Sequence, residues 1–277
     1  MKTIDNTSIG AALNAVREAK PLVHHLTNYV TVNDCANVTL AIGASPVMAD
    51  DIGEAADIAA IASALVINVG TLNERTIASM LAAGKSANAH GVPVVLDPVG
   101  AGASALRNRT IETLLDEVKP DILRGNLSEI KCIAGLGGAA RGVDAAESDL
   151  AGDLTEESAG IAKALAARLS CTVAVTGAVD VVSDGTRTVC IQNGHPMLSK
   201  VTGTGCMSTS LCASFAGANK DLLLAAVGGI AAMGIAGEIA YERAGKIGTG
   251  SFHIALIDAI SLLNADTISE KVHVYEA

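Results

Sequence analysis

Val201-Thr202-Gly203-Thr204-Gly205-Cys206-Met207-Ser208 runs straight into a helical pattern, Met207–Ala216, and it orients the reading of the whole 277-residue chain. Two glycines flanking a threonine let the backbone turn tightly with successive N–H groups pointing one way. The helix that follows adds the positive end of its dipole. Such a turn is an anion hole in waiting, built from the amides of Gly203, Thr204, Gly205 and Cys206; the same residues also make a plain tight helix entry. No Lys-Ser/Thr pair follows the glycines, so this is not the phosphate loop of the Walker type. Its late position, ahead of a helical tail, separates it from the G-x-G-x-x-G dinucleotide fingerprint.

Upstream, short apolar runs alternate with longer helical patterns. The expected strands are Leu22–Leu26, Ala64–Val69, Val92–Asp97, Ile122–Arg124 and Thr172–Thr176, each stopped by a polar residue, Gly or Pro, as strands buried on both faces are. Between them lie the expected helices Ile9–Glu18, Val32–Ile42, Glu74–Ala89, Ser104–Glu117 and Glu157–Leu169. Two more strands, around Asp180–Val182 and Thr188–Gln192, are joined by the turn Ser183-Asp184-Gly185-Thr186. Beyond Gly205 the pattern is helical: Met207–Ala216, Leu222–Arg243 and Ser251–Leu263. The alternation predicts an α/β fold with a mainly parallel sheet between two layers of helices. No linker, low-complexity tract or repeat divides it, so residues 1–277 read as one domain, with Gly135–Leu154 a Gly- and Asp-rich surface loop. Ligands of such sheets sit outside the carboxyl ends of the strands, which points to Asn28, Asn68, Asp97, Arg124-Gly125-Asn126 and Thr176-Gly177.

Composition narrows the function. A formal charge of −10 repels a phosphate backbone, and an aromatic content of 2%, with no Trp, leaves few rings for stacking on bases, so nucleic acid is not expected as a partner. Met1-Lys2-Thr3-Ile4-Asp5-Asn6 lacks the basic-then-apolar signature of a signal peptide, so the expected compartment is the cytoplasm. There the six scattered cysteines read as free thiols, with no C-x-x-C pair to suggest a disulfide or a zinc site. The uncharged run Leu222 to Gly237 is shorter than the roughly 20 strongly apolar residues of a bilayer span. It reads as a buried helix, whose small residues let neighbouring backbones approach.

Two further motifs carry chemistry. In Arg124-Gly125-Asn126-Leu127-Ser128-Glu129 the N-x-x-E spacing sets Asn126 and Glu129 one helical turn apart. Two such oxygen-bearing side chains organise a hydrated magnesium ion, and the same spacing makes a helix capping box. Arg124 is placed either to reach a phosphate or to pair with an acid. In Val95-Leu96-Asp97-Pro98-Val99-Gly100 a buried strand ends in a carboxylate, suited to metal or phosphate work or to a turn-forming Asp-Pro.

Taken in order, D-P-V-G, the N-x-x-E helix start, V-T-G and G-T-G-x before a long helical tail resemble the ribokinase-like fold, and within it the hydroxyethylthiazole kinase family. Leu26-Thr27-Asn28-Tyr29-Val30-Thr31, Asn33 through Gly43 and the Ser45-Pro46-Val47-Met48 strand are similar to that family's thiazole-binding region; so are Asp121 to Asn126 and Thr202 to Cys206 to its other motifs. The resemblance spans roughly Ile9 to Leu263. It implies ATP-dependent phosphorylation of the primary alcohol of 4-methyl-5-(2-hydroxyethyl)thiazole, in salvage of the thiazole half of thiamine. It puts ATP binding on Arg124 and Thr176 and substrate binding on Met48 and Gly203. It also implies a homotrimer whose pocket lies between subunits, the Asn28–Met48 segment of one chain facing the glycine loop of another. Ribokinase-like enzymes usually carry Asp after the glycines, whereas this chain has Cys206, as the thiazole kinases do.

Phosphoryl transfer through a loose transition state needs alignment and charge neutralisation more than proton abstraction. The amide cradle, Mg2+ near Glu129 and Asp97, and Arg124 would supply these. A thiol of ordinary pKa about 8.5 is only about 3% thiolate at neutral pH, and a helix N-terminus lowers that value. Cys206 is therefore expected to serve as a weak base or as a group positioning the hydroxyl, its alternative being a small buried hydrophobe. Met48 suits a thiazole ring or an apolar core. Asn28 suits a hydrogen bond to the substrate or a cap on Val32–Ile42. His24 and His25 read as core histidines, and His195, His253 and His273 show no metal-ligand spacing. The competing readings are a kinase of a pyrimidine alcohol or sugar, an ATP-dependent hydro-lyase on the same fold, and a binding or scaffold trimer without catalysis.

Overall fold

Every parallel strand but one ends on a polar side chain or is followed by one within two residues, and the sheet brings those ends to one edge. The computed structural model describes residues 4–137 and 154–277. In chain order the elements are α1 (Asn6–Ala19), β1 (Leu22–Leu26), α2 (Val32–Ile42), β2 (Ser45–Val47), α3 (Ala55–Ile61), β3 (Ala64–Asn68), α4 (Glu74–His90), β4 (Val94–Asp97), α5 (Ala105–Glu117), β5 (Ile122–Asn126) and α6 (Leu127–Ala134). There follow α7 (Leu154–Leu169), β6 (Thr172–Thr176), β7 (Asp180–Ser183), β8 (Thr188–Ile191), α8 (Thr204–Ala216), α9 (Leu222–Ala244), α10 (Thr249–Leu262), α11 (Ala265–Lys271) and β9 (Val274–Glu276). One nine-stranded sheet runs in the order β2-β1-β3-β4-β5-β6-β7-β8-β9. Its first six strands pair in parallel and β7, β8 and β9 pair antiparallel.

Side chains that alternate along each strand feed two cores. In β3, Ala64 and Val66 join a core with α1, α2, α8, α9 and α10, while Leu65 and Ile67 join a second with α3, α4, α5, α6 and α7. In β4, Val95 goes to the first core and Val94 and Leu96 to the second. A sheet buried on both faces this way must be apolar throughout, which is what made its strands legible. The expected α/β three-layer fold is the observed one.

Two expectations need correction. The tail is not wholly helical: Val274–Glu276 forms β9 on the edge of β8, with Tyr275 opposite Cys190. The helices α3 and α11 were not expected, and neither was the 3-10 helix Pro196–Lys200, which carries β8 into the glycine turn. All are seven residues or fewer, too short for a helical period to show. The expected surface loop Gly135–Leu154 lies largely outside the described residues.

The uncharged run is the core of α9, the described helix long and apolar enough to cross a membrane, and it is buried inside the fold. Its small residues have the expected use. A Cβ on Gly229 would lie 2.5 Å from the backbone N of Cys212, so α8 and α9 pass with backbone almost touching backbone.

Candidate active site

The carboxyl ends of β3 and β4 are in register, Asn68 opposite Asp97. There Asn68 Nδ2 donates to Asp97 Oδ2 at 2.9 Å. Thr209, one turn into α8, donates its hydroxyl to the same oxygen at 2.8 Å, and Arg124 Nη1 stands 3.9 Å from it. Asp97 is fully buried, and its Oδ1 has no hydrogen-bond partner. Burial pushes its pKa up, against the pull of the Arg124 charge and the two donors.

Arg124 turns from β5 toward β6, where its Nη2 donates to Thr176 Oγ1 at 2.7 Å. Its guanidinium lies against the glycine turn: a Cβ on Gly205 would be 2.9 Å from Nη1. Gly203 takes a φ of 90°, left-handed and natural to glycine, and a Cβ there would meet Thr31 Cγ2 at 2.6 Å. As the N-cap of α8, Gly203 offers no side-chain cap, so the first-turn N–H groups are not capped by it. Thr204 anchors the turn by donating to Leu198 O at 3.0 Å.

Cys206 meets the N-terminal part of the chain. Asn28 Nδ2 and Asn68 Nδ2 each lie 3.3 Å from its sulfur. Asn28 Nδ2 also donates to Asn68 Oδ1 at 3.1 Å, and Asn28 Oδ1 accepts from Thr31 N, so the two amides form one rigid unit. On the second-core side, Glu129 Oε1 accepts from Gly100 N at 2.8 Å and Oε2 from Asn126 N at 2.9 Å. Asn126 Oδ1 accepts from Glu129 N in return, a capping box on α6. Burial, then the charge of Asp97, pushes Glu129 up to about 7.

A chain with this site and sheet matches the hydroxyethylthiazole kinase family over residues 13–266. The chain belongs to that family. A hydroxyethylthiazole kinase of Ruminiclostridium cellulolyticum is 62% identical over 264 residues, covering 95% of this chain and 96% of the relative. One from Methanocella arvoryzae is 49% identical, covering 98% and 99%. A solved hydroxyethylthiazole kinase from Pyrococcus horikoshii superposes with a TM-score of 0.87 at 42% identity, covering 97% and 98%. The pyridoxal kinase of Staphylococcus aureus, at 13% identity and a TM-score of 0.59 to its ADP complex, shares the ribokinase-like fold.

In this hydroxyethylthiazole kinase family member, the residues singled out from sequence fall into two groups that meet at α8. Arg124, Thr176, Gly205 and Asp97 form one; Asn28, Gly203 and Cys206 form the other. Met48 follows the edge strand β2 and is 36% exposed, which argues against the core alternative. Two expectations are corrected. Cys206 is not lowered by its helix terminus: burial, then the Asp97 carboxylate, pushes the thiol up to about 12. Nor does the glycine turn wait for another chain's Asn28, because Asn28 and Thr31 of the same chain already contact it. The Asn126–Glu129 spacing forms the capping box of α6, with Asn126 Oδ1 accepting from Glu129 N. Among the described residues no group of three or more His, Cys, Asp or Glu gathers as a closed metal cage. The sequence marked Asn68 as a strand-end position for ligands without giving it a specific contact, and it did not mark Thr209. Asn68 was visible as a strand-ending amide, whereas Thr209 sits inside a helical run with no local mark.

Proposed function

We propose that this chain transfers the γ-phosphate of ATP to the primary alcohol of 4-methyl-5-(2-hydroxyethyl)thiazole, a cytoplasmic salvage step that feeds the thiazole half of thiamine. Membership of the family supports the reaction, and one observation carries the site: Asn28 and Asn68 both reach Cys206 at 3.3 Å, at the mouth of an N-terminus whose cap residue has no side chain.

The amides of Gly203, Thr204, Gly205 and Cys206 receive the phosphoryl group in flight, and Arg124, steadied by Thr176, faces the nucleotide phosphates. Cys206 is protonated at neutral pH, so it acts by holding the hydroxyl in line. A loose transition state tolerates this, because the alcohol proton is needed late. Asn28 orients the acceptor, and Met48 and Gly203 bound the ring.

The donor set fits magnesium. Asp97 Oδ1 is a buried carboxylate oxygen with no partner, and the Glu129 carboxyl beside it keeps a lone pair on each oxygen. Mg2+ binds through one or two carboxylates plus phosphates. When bound it would supply neutralisation of the phosphate charge, and Asp97 and Glu129 would hold it.

The acceptor pocket is completed by trimerisation. Tyr29 is 78% exposed, Val30 59%, Ile52 51% and Met48 36%, apolar side chains in the segments that follow the paired strands β1 and β2, which a second copy would cover. The decisive experiment is a coupled assay of ADP release with and without the thiazole alcohol. Release that depends on the alcohol supports the kinase; ATP hydrolysis indifferent to it, or binding without ADP release, removes the proposal.

A further inference from the structure

Arg107 lies in the first turn of α5, outside the groups assigned above. Its guanidinium has no carboxylate partner among the described ion pairs; it binds three main-chain carbonyls. Nη1 donates to Val69 O and to Val99 O, both at 2.5 Å, and Nη2 donates to Gly70 O at 2.6 Å. Those carbonyls belong to two loops, the one after β3 and the one after β4. The arginine is itself held, since Ser104 Oγ caps its backbone N–H at 3.2 Å and its side chain lies over Gly100, where an added Cβ would be 3.4 Å from Cδ, Nε and Nη1. Gly100 has a φ of 72°, and its N–H is already engaged by Glu129. The loop after β4 is thus pinned from one side by a carboxylate and from the other by a guanidinium.

The loop after β3 leads to the acceptor side of the site. Gly70 N donates to Asn68 Oδ1 at 2.9 Å, and a Cβ on Gly70 would meet Asn28 Cβ at 2.8 Å and Asn68 Oδ1 at 2.9 Å. Fixing Gly70 therefore fixes which way the Asn68 amide points, and so which atom it presents to Cys206. The next residue, Thr71, accepts from the N–H of Tyr29, one position beyond Asn28. The route from Gly70 to Arg124 is longer: it passes through Asn68 and Asp97 and crosses a 3.9 Å ion pair, whereas Asn28 and Cys206 are met directly by Gly70 and Asn68.

We propose that Arg107 is a positioning residue for the acceptor alcohol: through Val69 and Gly70 it sets the Asn28–Asn68 pair against Cys206, and it leaves nucleotide binding alone. This rests on the function proposed above. The planar fork spreads its donors over two nitrogens to reach carbonyls of both loops, and the compact ammonium of lysine, with three N–H groups on one nitrogen, does not reproduce that spread. A misplacement of the acceptor by about 1 Å costs on the order of 10²-fold in rate.

The test measures both Michaelis constants and kcat for the parent, Arg107→Lys and Arg107→Ala, with amide hydrogen exchange at Gly70. Both variants should lose about 10- to 100-fold in kcat/KM for the thiazole alcohol, with KM for ATP unchanged. Millimolar guanidinium chloride, far below denaturing concentrations, should restore part of the Arg107→Ala loss and leave the parent unaffected. Gly70 should exchange faster in both variants. Equal rises in both Michaelis constants, a lowered melting temperature with unchanged kinetics, or unchanged exchange at Gly70 would each overturn the assignment. A parent that releases no alcohol-dependent ADP removes the functional reading instead, and exchange at Gly70 still decides whether Arg107 holds the loop.

Discussion

Cys206 combines two properties that separate in mutants: it is small enough to admit two amide donors at 3.3 Å, and burial keeps it protonated. Cys206→Ala removes the acceptor that both asparagines share and should lower kcat about tenfold or more. Cys206→Asp offers a carboxylate to the same two donors and should match or exceed the parent; an unimpaired Cys206→Ala would remove the role. With the thiol near 12, kcat should show no inflection near pH 8.5. His25 gives a second handle. Burial lowers its pKa to about 4 from an ordinary 6.5, so the folded state prefers the neutral ring. Its contribution is complete above pH 6.5 and is lost as pH falls through 4, on the order of 3 kcal/mol. The stability difference between the parent and His25→Gln, followed by urea unfolding, should shift by that order between pH 7 and pH 4. A constant difference would refute it. At this scale the sequence showed which polar residues end strands. It could not show that Cys206 lies beneath Asp97 and two amides, because burial of a helix terminus depends on elements more than 100 positions away.

Among the elements, α8 and α9 pack backbone against backbone. Gly229→Ala drives a methyl into the backbone of Cys212 and Leu211. It should cost about 3 kcal/mol or more and displace the helix that presents the amide cradle. Gly160 on α7 has nothing within 4 Å of its Cβ position, and Gly160→Ala should stabilise by about 0.5–1 kcal/mol. Thermal melts of the two variants moving in the same direction would contradict this. The long elements were legible because burial on both sheet faces, or on a helix face, writes a period into ten or more residues. The edge strand β9 and the one- or two-turn helices α3 and α11 were not, since their hydrogen bonds and neighbours, not their pattern, make them.

At the level of the whole molecule, exposed Tyr29, Val30, Ile52 and Met48 predict self-association. Sedimentation should give three copies of the 27.8 kDa chain, about 83 kDa. Tyr29→Asp should yield smaller species with a raised KM for the alcohol; a wild-type monomer of full activity would refute the trimer. The order of motifs along the chain made the family legible, but a mixed sheet with its site at one edge does not reveal which surfaces meet. Tyr29 has one more use. The chain contains no tryptophan, so Tyr29→Trp would install a single indole one residue from Asn28, and its emission would report directly on whether that corner is wet, covered or filled.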